Sequence, residues 1–275
     1  MIKFIADSSI DILDIAGVHF QTVPLTIYTE ERTYIDDANL NLSGMLDYMA
    51  AFKGRSYTSC PSTEAWLKAY EGADEIYAVT LTSNLSGTYN SAMVARDIYL
   101  ADHPQAKILI VDTLSVGPEM RLMMEKMVDW HKAGLSFEEI EMSTQTYLNS
   151  TRLFFAFQSL HNLAQNGRIP KIASAAINVL NITITGTASE DGHVKPTGKA
   201  RGEKKVLNTL YNDMQEAGYQ GGKVRICHAE NSLLAVRLAA LVQTRHPGAD
   251  VQICTASGIC GYYGERGGVI VACEC

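Results

Sequence analysis

The chain has 275 residues, 47% of them hydrophobic, 19% charged and 8% aromatic, with 23 Lys and Arg against 30 Asp and Glu for a formal charge of −7. So apolar a chain buries a substantial core and is not intrinsically disordered; at roughly 150 residues per domain it makes one large or two medium domains, and two is the working count. A pI near 5.5 denies it the basic field that nucleic-acid phosphates or anionic lipids attract, so neither is an expected partner.

No stretch approaches the ~18–20 apolar residues that cross a bilayer, so integral membrane association is not expected. Asp7 stands where a signal peptide would carry its apolar segment; the opening therefore reads as a first strand, and the expected location is cytoplasmic. The six cysteines, Cys60, Cys227, Cys254, Cys260, Cys273 and Cys275, fit reduced thiols in a protein too large to need disulfides. Four crowd near the end, yet Cys273 and Cys275 share one face of a strand and no His follows at ligand spacing, so no metal site is expected.

In chain order, apolar runs at residues 2–6, 75–81 and 107–112 are short enough for strands buried on both faces. Ser62 opens a helix over residues 62–70 with Ala65, Trp66, Ala69 and Tyr70 on one side, and Ser86 caps a helix over 87–100. This alternation predicts an α/β layer with a mainly parallel sheet. Two consecutive helix candidates then lead to Asn149-Ser150, where the pattern changes.

Beyond that point residues 151–157 read as a strand and Ser159 to Gln165 as a short helix closed by Asn166-Gly167. Val179 to Ala188 and His193 to Thr197, joined through Glu190-Asp191-Gly192, predict an antiparallel hairpin. A helix over Asn208 to Glu216, a strand over Lys223 to His228, a helix over Leu233 to Val242, and strands over Val251 to Thr255 and Gly268 to Cys273 follow. The expected architecture is α/β in two domains, residues 1–150 mainly parallel α/β and residues 151–275 α+β with a mixed or antiparallel sheet.

Two polar segments precede helices in the first half. Leu81 to Tyr89 carries Thr82, Ser83, Ser86, Gly87 and Thr88 between a strand and a helix, where free backbone N–H groups and the positive end of a helix dipole suit an anion. An ordinary capped helix explains the same residues. Thr58 and Ser59, stiffened by Pro61, form a second such loop; facing the first across a crevice, it would hold a carboxylate or phosphate between hydroxyls and amides. Asp7-Ser8-Ser9 either holds a nucleophile or caps a turn. The seven His residues are scattered, and no HExxH, GxSxG or P-loop pattern occurs. Arg168, after Asn166-Gly167, either reaches an acidic group or satisfies helix carbonyls. Lys199 to Lys205 is a local basic cluster, read either as the solvated start of a helix or as a docking surface for an acidic partner.

Taken in order, these segments resemble the DegV family over nearly the whole chain: Asp7-Ser8-Ser9, Val23-Pro24-Leu25, Tyr34-Ile35-Asp36, Thr58 to Ser62, Leu85-Ser86-Gly87-Thr88-Tyr89, Val111-Asp112-Thr113, Asn166-Gly167-Arg168-Ile169, Leu180-Asn181-Ile182, and Lys199 with Arg201-Gly202. The resemblance implies a non-catalytic carrier that sequesters one long-chain fatty acid in an apolar tunnel and needs no other cofactor. It also implies presentation of that acid to a separate ATP-dependent fatty acid kinase that phosphorylates the carboxylate. On this pattern Thr58 and Ser86 bind the headgroup with Ser59, Gly87 and Thr88 beside them, Arg168 joins the polar network at the opening, and Arg201 belongs to a partner-docking surface.

The family's C-terminal loop usually reads His-x-Gly-Pro-Gly. Here the aligned stretch is Gly261 to Gly268, with Tyr262 where the His would be, Glu265-Arg266 in place of Pro-Gly, and Thr183 where Lys is frequent. A phenol still donates a hydrogen bond but brings no positive charge. Two other readings therefore stand: an enzyme acting on a small phosphorylated or carboxylated substrate through Asp7, Ser8 or Ser86, and a family member whose ligand has changed or whose pocket is lost.

Overall fold

The computed structural model describes residues 1–170 and 182–275. Leu180-Asn181 of the family pattern, and residues 179–181 of the expected hairpin strand, lie outside the described residues.

The fold is mixed α/β, as expected. Four strands, β1 (Ile2–Asp7), β2 (Phe20–Val23), β6 (Glu75–Thr80) and β7 (Lys107–Asp112), form an all-parallel sheet in the order β2-β1-β6-β7. Both faces are covered, which is why these strands are apolar without alternation. Ile5, Ile76, Ala78 and Ile110 pack with Trp66 and Tyr70 of α2 (Thr63–Tyr70) and Ala92, Ala95 and Tyr99 of α3 (Thr88–Asp102). On the opposite face Phe4, Ala6, Tyr77 and Val79 pack in one cluster with Met120, Met123, Met124 and Met127 of α4 (Pro118–Lys132). Helix α5 (Phe137–Asn149) follows, opened by a capping box at Ser136 and Glu139.

The second large sheet has six strands in the order β10-β9-β8-β13-β11-β12. They are β8 (Thr151–Phe157), β9 (Ile182–Ala188), β10 (Val194–Arg201), β11 (Val224–His228), β12 (Val251–Thr255) and β13 (Val269–Glu274). Only β11 and β12 pair in parallel, so this sheet is mixed, as expected. Its outer face carries Phe154, Ala156, Ile226 and Val271 against α7 (Glu203–Glu216) and α8 (Ser232–Arg245). Its inner face presents Leu153, Phe155, Phe157 and Ile270 to the cluster that holds α4. The methionines of α4 thus sit between two sheets, where unbranched, polarisable side chains fill irregular space well.

Three local expectations change. The stretch Tyr57 to Ser59 is the end of a strand, β5 (Ser56–Ser59), in a small antiparallel sheet with β3 (Thr26–Thr29) and β4 (Thr33–Ile35). The helix expected from Asn208 begins at Glu203, because β10 runs on to Arg201 and turns at Gly202 with φ +81°. The expected C-terminal loop contains the end of a short helix, α9 (Gly258–Gly264), capped by Ser257. Helix α1 (Leu42–Ala51), capped by Asn41, completes the first half.

Buried carboxylates join α9 to the first half. Asp36 accepts from the backbone N–H of Gly258 and Ile259, and Asp11 from that of Ser257 at 2.7 Å. Asp7 caps a 3-10 turn at Ser8–Ile10 and accepts from the Leu81 N–H at 2.8 Å, so the turn-capping role of Asp7-Ser8-Ser9 is the one the fold uses. Burial pushes the carboxyl groups of Asp7 and Asp36 up to about 6, against their accepted hydrogen bonds. An acid whose folded-state value exceeds its unfolded one binds more protons when folded, so its contribution to stability grows as pH falls from about 7 towards about 4. We expect Asp36→Asn to shrink the gain in urea midpoint between about pH 7 and pH 5; an unchanged gain would count against this assignment.

Candidate functional site

Two turns from the parallel half meet at one end of a cavity. After β6, Thr82 accepts through its carbonyl from the N–H groups of Leu85 and Ser86, which sets the chain to enter α3. The N-cap is Gly87, with no side-chain cap bond, while the Ser86 hydroxyl accepts from the Thr88 N–H at 3.3 Å. The second turn leaves β5 through Thr58, Ser59 and Cys60. The two touch: a Cβ on Gly87 would lie 3.3 Å from the Cys60 sulfur.

The second half closes the same end. Tyr263 of α9 places its phenol 2.8 Å from the Thr58 hydroxyl. Arg168 donates through Nε to the Leu85 carbonyl at 3.2 Å and through Nη1 to the Asn166 carbonyl, so it spans from the end of α6 (His161–Gln165) to the α3 turn. Burial raises the Tyr263 phenol above its ordinary value, which keeps it neutral and able to donate.

Tyr262, the residue expected at the missing His, is fully buried and points elsewhere. Its hydroxyl lies 2.6 Å from that of Ser56 and accepts from the Asn166 side chain, and its carbonyl accepts from Asn162. Successive helix residues point about 100° apart, so reading α9 as a loop misplaces the phenol by one position. Thr88 also stands off the cavity, its hydroxyl buried behind the turn without a hydrogen bond among the described residues. Arg201 is exposed at the end of β10, with Lys204 and Lys205 exposed on the first turn of α7.

The cavity encloses about 280 Å³. Thr58, Ser59, Ser86, Gly87, Arg168 and Tyr263 line it, and its remaining wall is mainly apolar, with Leu25, Leu81, Val116, Phe155, Phe157 and Ile270. It lies between the sheets, along β8. Leu153, Phe155 and Phe157 alternate onto its wall, a span of about 13 Å at ~3.3 Å per residue. The apolar run of β8 was visible in the sequence, but nothing there showed that a void lay beneath it. Among the described residues no group of three or more His, Cys, Asp or Glu side chains is placed to hold a metal ion, and no helix is long and apolar enough to cross a membrane.

A mainly apolar cavity with Thr58, Ser59, Ser86, Tyr263 and one guanidinium gathered at one end suits an elongated amphipathic molecule. The family model "Uncharacterised protein, DegV family" matches residues 1–273, and the chain belongs to that family. A DegV domain-containing protein of Streptococcus pneumoniae is 38% identical over 99% of this chain and 98% of its own. Among solved structures, a DegV family protein from Eubacterium eligens loaded with heptadecanoic acid superposes with a TM-score of 0.98 at 47% identity, covering 100% of this chain and 99% of that one. The fatty acid kinase (Fak) B3 protein of S. pneumoniae, loaded with linoleic acid, gives a TM-score of 0.96 at 38% identity with 99% of each chain covered.

Proposed function

We propose that this protein binds one long-chain fatty acid, with the carboxyl group among Thr58, Ser86, Tyr263 and Arg168 and the hydrocarbon along β8, and that it presents the acid to a separate kinase in the cytoplasm. The observation that carries the reading is the division of one cavity into an end where Thr58, Ser59, Ser86, Tyr263 and Arg168 gather and a mainly apolar remainder. Similar proteins solved with heptadecanoic and linoleic acid support the ligand class, and the fatty acid kinase name that one of them carries supports the partner. The exposed Arg201, with Lys204 and Lys205 beside it, supplies a basic docking surface for that kinase.

The enzymatic alternative finds little support. Asp7 and Ser8 are buried away from the cavity lining, with the Ser8 hydroxyl accepting from the Leu25 N–H at 3.0 Å. No His or carboxylate is hydrogen-bonded to the Ser86 hydroxyl among the described residues. The lost-pocket alternative is disfavoured by the cavity itself.

Burying about fifteen methylenes at ~0.8 kcal/mol each gives a gross gain on the order of 12 kcal/mol, while a hydrogen bond to a charged headgroup nets ~1.5–3. The tail therefore dominates affinity, and the polar end orients the acid. We expect Thr58→Val and Tyr263→Phe each to weaken binding about tenfold without abolishing it, measured by calorimetric titration of lipid-stripped protein. Native mass spectrometry of purified protein, followed by organic extraction, should reveal one bound acyl chain. A folded protein that carries none and takes up none would overturn the carrier function.

A further inference from the structure

The far end of the acyl cavity adjoins a second one. Leu153 of β8 and Ala188 of β9 belong to both walls, and the second space, about 340 Å³, lies on their far side, towards Thr151 at the start of β8. On the opposite side the wall passes from Ser115 in the first cavity to Leu114 in the second. The two are therefore in line along one strand.

Their linings differ. Where the first is apolar, the second is bounded by Gln145 and Asn149 of α5, Arg152, and the carboxyl-bearing Asp112, Glu119 and Glu190. Gln145, Asn149, Arg152 and Glu190 are exposed, so this space is a vestibule open to water. Carbon–carbon bonds of about 1.5 Å advance an extended chain roughly 1.3 Å per carbon, so a long acid lying along β8 reaches Leu153 after about ten carbons. A plain methyl end that runs on into the vestibule forfeits part of its burial, whereas a polar end finds partners there.

The balance of charge selects the kind of polar end. Three carboxyl-bearing side chains line this space with one guanidinium, and Arg152 already spends Nη1 on the carbonyls of Asn149 and Thr151. Glu119 is buried and accepts from the hydroxyls of Ser115 and Thr151. A second carboxylate is repelled there, and a neutral hydroxyl is not. Resting on the fatty-acid reading above, we infer that the vestibule beyond Leu153 and Ala188 selects long-chain acids that carry a hydroxyl near the end remote from the carboxyl group.

The test is a competition. Lipid-stripped protein is offered equimolar hexadecanoic, ω-hydroxyhexadecanoic and hexadecanedioic acids, and the retained species are read by native mass spectrometry. One neutral hydrogen bond predicts roughly threefold to tenfold enrichment of the hydroxy acid over the plain acid, with the diacid last. The Gln145→Leu/Asn149→Leu variant, altered only at exposed vestibule positions, should lose that enrichment and still bind hexadecanoic acid. Plain acid retained as well as or better than the hydroxy acid, or an enrichment unchanged in the variant, overturns the inference while leaving fatty-acid binding intact. Retention of none of the three overturns both.

Discussion

An Ile270→Trp variant is expected to fold and to bind hexadecanoic acid about a hundredfold more weakly than the native protein. Ile270 lies on β13, a central strand of the six-stranded sheet, and lines the apolar part of the cavity. An indole there occupies the space of about four methylenes, and at ~0.8 kcal/mol each their exclusion costs about 3 kcal/mol of binding. The same site supplies the control, because Ile270→Ala enlarges the cavity and should retain most of the affinity at some cost in stability. Calorimetric titration measures binding, and the unfolding transition shows that each variant is native. A folded Trp variant with native affinity would remove the acyl chain from this cavity.

The largest effect on stability is expected at Arg225, whose side chain is 2% exposed on β11. Its Nη2 lies 2.7 Å from both Glu125 of α4 and Asp250, and its Nη1 donates to the carbonyls of Val224 and Asp250. Glu125 also pairs with Arg121 at 2.7 Å, so it keeps one partner if the other is removed. Truncating one member of a buried ion pair leaves the rest desolvated and uncompensated, usually at ~3–5 kcal/mol. With Arg121 still in place, Arg225→Met should fall near the low end, about 3 kcal/mol, seen as a lower urea midpoint with an unchanged slope. Asp250 is 48% exposed and regains water, whereas Arg225→Met/Glu125→Leu also strips the buried Arg121 of its carboxylate and should lose more than the single variant. A single variant as stable as the native protein would show that α4 is held to the second sheet by apolar packing alone.

Much of the architecture could be read from residue order. The unbroken apolar runs of β1, β6 and β7 have no polar face, and a strand without one is covered on both sides, which implies the parallel sheet and its flanking helices. Ser62 marked a helix start and accepts the expected N–H three residues on, whereas Ser86, also expected as a cap, leaves the N-cap position to Gly87. The strands β2 to β5 were less legible: each has only three or four residues, too few for alternation to stand out from a polar loop. Thr58 was expected in a loop and sits in such a strand, yet it still reaches the cavity because it lies in the last two residues of β5.

The polar end of the site is a mixed case. Hydroxyl residues and glycine after a strand announce an exposed turn whatever surrounds them, so the turns at Thr58 and Ser86 were nameable from composition and spacing. Which phenol joins them was not. Tyr262 and Tyr263 are adjacent and chemically identical, and the rotation of α9 alone gives the first to Ser56 and the second to Thr58.

Local order thus specified the elements and the chemistry at their ends, because propensity, capping and hydrophobic period act over a few residues. The cavity, the second space beyond Leu153 and Ala188, and the partners of Arg225 depend on side chains far apart in the chain that meet only when two sheets close on α4. Empty space is a property of how those surfaces fit, and no single segment carries it.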